Sequence, residues 1–380
     1  MGPLAGIKVV ELAGIGPGPM CAMLLADLGA TVIRIDRREP VDLGIKRPLK
    51  FNLLLRNRKA IALDLKQPRH VALALRLIDK ADALIEGFRP GVTERMGLGP
   101  DICIARNPRL VYGRMTGWGQ DGPLSHAAGH DVNYIALTGA LHATGRAGQP
   151  PTVPVNILGD YAGGSLYLAF GILAGIIEAR TSGKGQVVDA AIIDGTAHLL
   201  TSFYGLLGMG SFREERGTNI VDSGSYFYEV YECADGRWVS VGPIEGRFHD
   251  DLLKKLGIAP AEIGAQMNPD NWPRGKAILA AKFKTRTQAQ WCELLEGSDT
   301  CFAPVLAMSE APQHPHMKAR NSYVEVDGVT QPAAAPRFSR TPAATPLPPQ
   351  AITPENTDAA LADWLDQAAI EQLRADGIIV

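Results

Sequence analysis

Cysteine is scarce in this sequence, which has five cysteines among 380 residues and no Cys-x-x-Cys pair. An odd number of cysteines in a chain of this length fits a reducing cytoplasm better than secretion. The amino terminus, MGPLAGIKVVELAG, lacks the basic stretch followed by an apolar stretch that marks a signal peptide. We therefore predict a cytoplasmic protein.

An excess of charge of one sign is also missing, since 38 basic and 40 acidic residues leave a net charge of −2. Without a basic field, the composition does not point to nucleic acid or to an anionic membrane surface. The sequence has no HExxH, no GxSxG, no Walker A motif and no His/Cys cluster with zinc spacing. We expect neither a bound metal nor a nucleic-acid partner.

Long apolar runs are rare, and one run, GGSLYLAFGILAGIIEA, reaches the minimum length for spanning a membrane. It begins just after Asp160 and continues into the polar stretch EARTSGKG. We interpret it as a buried core helix of a protein that does not enter the membrane.

The first part of the chain alternates apolar strand patterns, such as IKVVELA and TVIRID, with helical patterns. This order predicts an α/β fold with a mostly parallel, Rossmann-like sheet and helices on both faces. Ligands of such sheets bind outside the carboxyl ends of the strands. The stretch SYFYEVYECADGRWVSVGPI changes to short strands around an Asp-Gly turn, which predicts a hairpin.

These patterns divide the chain into two domains. We assign residues 1–205 and 330–380 to a large domain and residues 217–325 to a small α+β domain. The Pro/Ala-rich stretch 331–355 is expected to be extended. The stretch NTDAALADWLDQAAIEQLRADG after it predicts one last helix, capped by its Asn.

The turn after the first strand, ELAGIGPGPM, has some features of a dinucleotide-binding loop. Asp36 lies at the spacing of a ribose-binding acid, but Pro19 stands where the third glycine should be. Pro17 and Pro19 also remove amide donors that would hold a pyrophosphate. We interpret the stretch as a tight strand-to-helix turn.

Basic residues recur where predicted strands end, at Arg37, Lys66 and Arg89, with Arg95 one helical turn further on. In a parallel sheet these residues would converge at one edge, where they would suit a ligand with several phosphates. Ordinary solvated charge is the alternative, and it is the simpler explanation for any one of them.

His130 and Asp131 are adjacent in SHAAGHDVNY, and Asp160 follows 30 positions after His130 in VNILGDYAGG. Neighbours on a helix point about 100° apart, so His130 and Asp131 would not share a face. Asp131 and Asp160 each precede a helical pattern, so spacing favours a helix cap for both. A carboxylate at a helix start can also be reactive.

The sequence resembles the type III CoA-transferase family from residue 3 to about residue 255, and within it the α-methylacyl-CoA racemase branch. The stretches that carry the resemblance are GIKVVELAGIGPGP, ADLGATVIRIDR, LLRNRKAIALDLK, DALIEGFRPGVTERMGLGP, LVYGRMTGWGQDGP, AGHDVNYIALTGALHATG, NILGDYAGGSLYLAFGILA, SGKGQVVDAAIIDG and YECADGRWVSVGPIE.

The resemblance implies a racemase of 2-methylacyl-CoA thioesters in which His130 and Asp160 are opposed acid/base groups and Glu245 orients the histidine. It implies proton transfer through an enolate, for which the Asp131 amide is our first candidate donor. In the transferases of the family, the residue at Asp160 is instead a nucleophile that forms an anhydride and then a thioester. A non-catalytic acyl-CoA-binding protein is the third possibility.

The resemblance also implies a large CoA-binding domain, a small domain, an interlocked homodimer and no cofactor besides the CoA carried by the substrate. One segment, EPVDLGIKRPLKFN with its basic run at 45–50, does not match the family pattern. The CoA contacts carried over by motif are Arg37, Leu63, Asp64, Leu65, Lys66, Gly87, Phe88, Arg89, Arg95, Gly129, Asp131, Val132, Asn133 and Tyr134.

Overall fold

The computed structural model describes residues 2–39 and 45–379, so part of the unmatched segment, residues 40–44, lies outside the described residues. The chain divides into two compact units. The first consists of residues 1–138, 155–199 and 319–380, and the second of residues 139–154 and 200–318.

This division differs from the sequence-based domains at three places. Residues 319–325 belong to the first unit, and residues 200–205 belong to the second. The internal stretch of residues 139–154 also belongs to the second unit. They are held there by Arg146, whose Nη1 donates to Glu229 Oε2 at 2.5 Å. His142 Nε2 also lies 2.9 Å from the carbonyl oxygen of Glu214.

The first unit is built on a six-stranded sheet whose strands are all parallel, in the order β3-β2-β1-β4-β5-β6. This confirms the predicted α/β class. The order reverses between β1 and β4, and such a switch point opens a crevice at the carboxyl ends of the two strands. The strands are β1 Lys8–Leu12, β2 Thr31–Arg37, β3 Lys59–Leu63, β4 Ala83–Glu86, β5 Val111–Thr116 and β6 Val187–Ala191.

Helices connect the strands of the first unit and are the most numerous regular elements of the second. A π-helix, Ile157–Leu166, leads directly into α7, and short 3-10 turns occur at 49–51, 53–55, 269–271 and 311–313. The α-helices are α1 Pro17–Asp27, α2 Pro68–Ile78, α3 Val92–Arg95, α4 Pro100–Arg106, α5 Asp131–Leu137, α6 Ala140–Ala143, α7 Tyr167–Ser182, α8 Ile192–Leu199, α9 Thr201–Gly208, α10 Gly246–Leu256, α11 Pro260–Ile263, α12 Trp272–Phe283, α13 Gln288–Leu295, α14 Pro315–Ala319, α15 Pro354–Leu361 and α16 Gln367–Ala375.

The sheet is covered on both faces because its strands alternate buried side chains between two apolar clusters. Val10 and Ile33 belong to a cluster shared with α2, α15 and α16. Val9 and Val32 belong to the other, shared with α1 and α7.

The π-helix and α7 form one helical segment of 26 residues, Ile157–Ser182, that is long and apolar enough to cross a membrane by length and composition. Two of its glycines, Gly171 and Gly175, lie against the sheet. A Cβ built on Gly175 would be 2.9 Å from Val111, and one on Gly171 would be 2.6 Å from Val188. The segment is therefore packed as a core helix, half of which is buried.

The chain returns to the first unit at residue 319, and the antiparallel hairpin of β10 Tyr323–Val326 and β11 Val329–Pro332 belongs to that unit. Residues 333–353 run without helix or strand, as predicted. The prediction of a single last helix was wrong. Two helices, α15 and α16, are separated by a turn at which Asp366 Oδ1 accepts the Ala369 amide. Thr353, not an asparagine, caps α15.

The second unit contains an antiparallel sheet in the order β7-β8-β9, formed by β7 Glu229–Glu232, β8 Trp238–Val241 and β9 Phe302–Val305. The first two strands make the predicted hairpin, with Gly236 at φ 76° in the turn. Helices α10, α12 and α13 supply the apolar residues that bury one face, among them Leu252, Phe283 and Trp291.

Candidate active site

A cavity of about 600 Å³ opens at the carboxyl ends of β1, β4 and β5, where the sheet topology predicts a ligand site. All of its lining residues belong to the first unit. The wall consists of Leu12, Gly14–Pro19, Ile85, Gly87–Pro90, Met115–Trp118, Ser125, Ala127–His130, Asn133, Tyr134, Asp160 and Ile192.

Asp160 reaches this cavity from inside the π-helix, so the predicted helix cap at this position was wrong. The helix begins at Ile157, and Asn156 precedes it. The Asn156 side-chain amide donates to Asp160 Oδ2 at 3.1 Å. On the other side, Gly16 has a φ of 65°, and a Cβ there would lie 3.3 Å from the same oxygen. The carboxyl group is thus held between an amide and a glycine turn.

The surroundings of Asp160 favour its neutral form. Burial raises the pKa of the carboxyl group above its ordinary value, and the Asp131 carboxylate raises it further. The hydrogen bond from Asn156 and the charge of His130 act in the opposite direction. A carboxyl group with a raised pKa can exchange protons closer to neutral pH than a solvated aspartate can.

His130 stands at the N-cap position of α5, with extended backbone at φ −133° and ψ 173°. Its amide donates to Asn133 Oδ1 at 3.0 Å, and its carbonyl accepts the Asn133 amide at 2.8 Å. These bonds fix the helix start while the imidazole stays exposed at the cavity wall.

Asp131 is the first helical residue of α5, so its predicted role as the cap was also wrong. Its side chain is 5% exposed, and its Oδ2 accepts the backbone amide of Asp160 at 2.6 Å. The adjacent His–Asp pair of the sequence is therefore divided. His130 lies at the cavity, and Asp131 points to the backbone of the helix that carries Asp160.

Tyr134 closes the base of the cavity beside Trp118, with ring centroids 4.7 Å apart in an edge-to-face arrangement. Its hydroxyl donates to the carbonyl oxygen of Gly129. Burial, followed by the charge of Asp160, raises the pKa of Tyr134 to about 12, so the hydroxyl stays protonated at neutral pH. A Cβ at Gly117 would overlap the tyrosine ring, which explains the glycine at that position.

The turn after β4 depends on a buried charge network that the sequence analysis missed. Glu86 is fully buried, and its carboxylate accepts the Phe88 amide at 2.7 Å and Arg114 Nε at 2.8 Å. Arg114 also donates to Glu94 of α3 at 2.8 Å. Burial raises the pKa of Glu86, and Arg114 opposes the shift. Charged residues at facing positions of two otherwise apolar strands were the available signal.

The residues predicted to contact CoA lie at one edge of the sheet but not all in the cavity wall. Gly87, Phe88, Arg89, Gly129, Asn133 and Tyr134 line it. Arg37 and Leu63 end β2 and β3 as register partners, and the Arg37 guanidinium lies 5.8 Å from the centre of the Phe88 ring.

Four further predicted contacts lie near this edge. Asp64 Oδ1 accepts the Lys66 amide at 3.1 Å, which folds the turn after β3. Arg95 ends α3, with its guanidinium next to Gly91. Val132 is on the first turn of α5, outside the cavity wall.

Glu245 lies in the second unit, immediately before α10, where its carbonyl accepts the amides of Phe248 and His249. In residues 2–39 and 45–379, no group of three or more His, Cys, Asp or Glu side chains is placed to hold a metal ion. Glu245 is not among the residues that line the cavity, so the acid/base candidates in the cavity wall are His130 and Asp160.

A family model described as CoA-transferase family III matches residues 4–353. The chain belongs to this family. Mouse and human proteins named alpha-methylacyl-CoA racemase are each 41% identical to it, over 99% of this chain and 97% of theirs. A crystal structure of a CAIB/BAIF family protein from Brucella suis superposes with a TM-score of 0.79 at 26% identity, over 96% of this chain and all of that one. The match of fold and sequence thus extends over the whole site.

Proposed function

We propose that this family member is an isomerase that interconverts (R)- and (S)-2-methylacyl-CoA thioesters by 1,1-proton transfer. The observation that carries the proposal is the presence of two different titratable side chains, His130 and Asp160, in the wall of one cavity at the switch point of the sheet. The 41% identity to proteins named alpha-methylacyl-CoA racemase supports the same reaction.

The inversion of a carbon centre requires a base on one face and an acid on the other. Neutral His130 would remove the α-proton of one enantiomer while protonated Asp160 donates to the opposite face. The other enantiomer would react with these roles exchanged. The raised pKa of Asp160 suits this double role because both of its protonation states become accessible near working pH.

The intermediate would be an enolate of the thioester, and its oxygen needs hydrogen-bond donors. The first amides of an α-helix have no partner within the helix, and they attract negative charge. In α5 the third residue, Asn133, bonds back to His130, which leaves the amides of Asp131 and Val132 as donors at the helix start. We assign the enolate oxygen to the Asp131 amide.

CoA would act as the handle of the substrate. Arg37, Lys66, Arg89 and Arg95 supply positive charge along one edge of the sheet, which suits the phosphates of CoA. The ordered turn of Gly87 and Phe88 would bring backbone close to the thioester end. No other cofactor takes part in this scheme.

A homodimer is the proposed assembly, with Glu245 orienting His130 in the assembled site. The helix that carries Asp160 supports association because it exposes Leu166, Phe170 and Ile177, the last two at 74% and 68%. A contiguous apolar face of this kind marks an interaction surface. Phe170→Glu should shift the molecular mass measured by light scattering from dimer to monomer, whereas Glu178→Gln on the same helix should not.

Isotope exchange tests the reaction directly. Each enantiomer of a 2-methylacyl-CoA is incubated with the protein in D2O, and incorporation of deuterium at the α-carbon is followed by mass spectrometry. His130→Ala and Asp160→Ala should each abolish racemisation. The absence of α-deuterium with the unsubstituted protein would refute the proposal.

A CoA-transferase is the second candidate, because Asp160 is accessible from the cavity and could act as a nucleophile. That reaction would pass through an enzyme-bound thioester, which hydroxylamine traps and which mass spectrometry locates on Asp160. Full activity of His130→Ala together with such trapping would favour the transferase. Binding of acyl-CoA with neither α-deuterium incorporation nor a trapped thioester would indicate a non-catalytic binding protein.

A further inference from the structure

The Asp131 carboxylate connects the two helices that carry the proposed acid/base groups. Its Oδ2 accepts the backbone amide of Asp160 at 2.6 Å across 29 positions of sequence. His130 is the residue immediately before Asp131, so one side chain ties the start of α5 to the π-helix. The distance between His130 and Asp160 therefore depends on this hydrogen bond.

The burial of this carboxylate is energetically unfavourable, which suggests that the contact has a role besides stabilising the fold. Asp131 is 95% buried, and its Oδ1 has no hydrogen-bond partner within residues 2–39 and 45–379. A buried carboxylate with an unpaired oxygen destabilises a fold. An apolar side chain or an asparagine at this position would avoid burying the charge.

The π-helix is shaped to receive this carboxylate. A Cβ on Gly159 would lie 2.5 Å from Asp131 Oδ2, so only glycine leaves room for the side chain to reach the Asp160 amide. π-Helical turns are rare, and they occur mostly at functional sites. The unusual turn and the glycine together present the amide of Asp160 to Asp131.

We propose that Asp131 is a positioning residue that fixes Asp160 relative to His130, a role that rests on the proposed function. The side chain acts through the Asp160 backbone and does not touch substrate. The proposal differs from the assignment of the Asp131 amide to the enolate oxygen, because a side-chain substitution leaves that amide in place.

The negative charge of Asp131 has a second consequence for Asp160. The titratable groups that act on Asp160 are Asp131, which raises its pKa, and His130, which lowers it, and Asp160 in turn raises the pKa of Tyr134. Replacement of Asp131 by asparagine would therefore lower the pKa of Asp160. Because Asp160 removes a proton only when ionised, its exchange reaction would begin at lower pH.

The test measures α-hydrogen exchange in D2O separately for the two enantiomers. The enantiomer that still exchanges with His130→Ala is the one that Asp160 deprotonates, and the one that still exchanges with Asp160→Ala is the one that His130 deprotonates. If these two variants do not separate the enantiomers, the proposed function fails, independently of Asp131.

Asp131→Ala should lower kcat for exchange of the Asp160-side enantiomer by about 100-fold, the size of effect expected from misplacement by about 1 Å. KM and exchange of the His130-side enantiomer should change little. Asp131→Asn keeps an acceptor oxygen, so it should retain more activity and move the midpoint of the pH profile to lower pH. Asp101→Asn, at an exposed aspartate of α4, is the matched control and should change neither kcat for exchange nor the midpoint of the pH profile.

Equal loss of exchange for both enantiomers with an unmoved pH profile would overturn the proposal, because it would indicate a purely structural role. Unchanged kinetics of Asp131→Ala would overturn it as well. Circular dichroism and thermal unfolding establish that each variant is folded. If the alanine variant does not fold, the pH midpoint of Asp131→Asn decides the question.

Discussion

A buried ion pair beneath the cavity allows a quantitative prediction about stability. Arg58 Nη1 lies 2.6 Å from Glu11 Oε2, and each side chain is 1% exposed. Arg58 also donates to the carbonyl oxygen of Pro19 at 3.1 Å, and Pro19 belongs to the cavity wall. The pair thus links the centre of the sheet to the glycine turn that contacts Asp160.

Removal of one partner of the ion pair should lower the free energy of unfolding far more than removal of both. Glu11→Met leaves a buried guanidinium, and Arg58→Met leaves a buried carboxylate, so each should lower the free energy of unfolding by about 3–5 kcal/mol. Burial already lowers the pKa of Arg58, and Glu11 opposes that shift, which shows the direction of the desolvation cost. The double variant buries no charge at this place. It should be more stable than either single variant by about 2 kcal/mol or more.

Equilibrium urea unfolding at pH 7 measures these differences, and native-state hydrogen exchange of the β1 amides reports on the first unit itself. Lys59→Met is a suitable control, because its ion pair with Asp363 is solvent-accessible. If the two single losses simply add in the double variant, the reasoning about uncompensated buried charge is refuted.

Three further predictions concern the cavity. Gly16→Ala should lower kcat, because it places a Cβ 3.3 Å from Asp160 Oδ2 in backbone with φ 65°, and steady-state kinetics with a circular dichroism control would measure this. Asp160→Asn should abolish exchange of the Asp160-side enantiomer yet raise the melting temperature at pH 8. A raised pKa means that the folded state disfavours the ionised form of Asp160, so this gain in melting temperature should shrink as the pH falls below the folded-state pKa. Arg114→Met should raise KM for acyl-CoA by about tenfold or more, since it leaves the buried Glu86 carboxylate without a cationic partner behind the Phe88 turn. An unchanged KM would contradict this role.

The sheet and its functional edge could be predicted from the sequence because they depend on repeated local patterns. Apolar runs such as those of β1 and β2 alternate with helical periodicity, and parallel strands place their carboxyl ends together. The hairpin around Gly236 could also be predicted from the sequence, since an Asp-Gly turn between alternating strands is a strong local signal.

The local roles of the two aspartates could not be obtained in this way. Spacing alone placed Asp131 and Asp160 at helix starts, where caps are common. The π-helix places Asp160 inside its first turn instead, and the Asp131 side chain bonds across the fold rather than along its own helix. The assignment of His130, Asp160 and Glu245 to a reaction came from the family resemblance, and it stays a prediction until the variants are measured.

The path of the chain has a consequence for biosynthesis. The chain leaves the first unit after residue 199 and returns at residue 319, and Leu361, Trp364 and Leu373 near its end fill the cluster that covers one face of the sheet. Because domains fold as the chain emerges from the ribosome, amino-terminal part first, Ile61 and Leu63 of β3, the strand that α15 contacts, lack part of their cover until α15 and α16 have been made. Ribosome-bound chains that stop short of α15 should therefore be the species that need a chaperone.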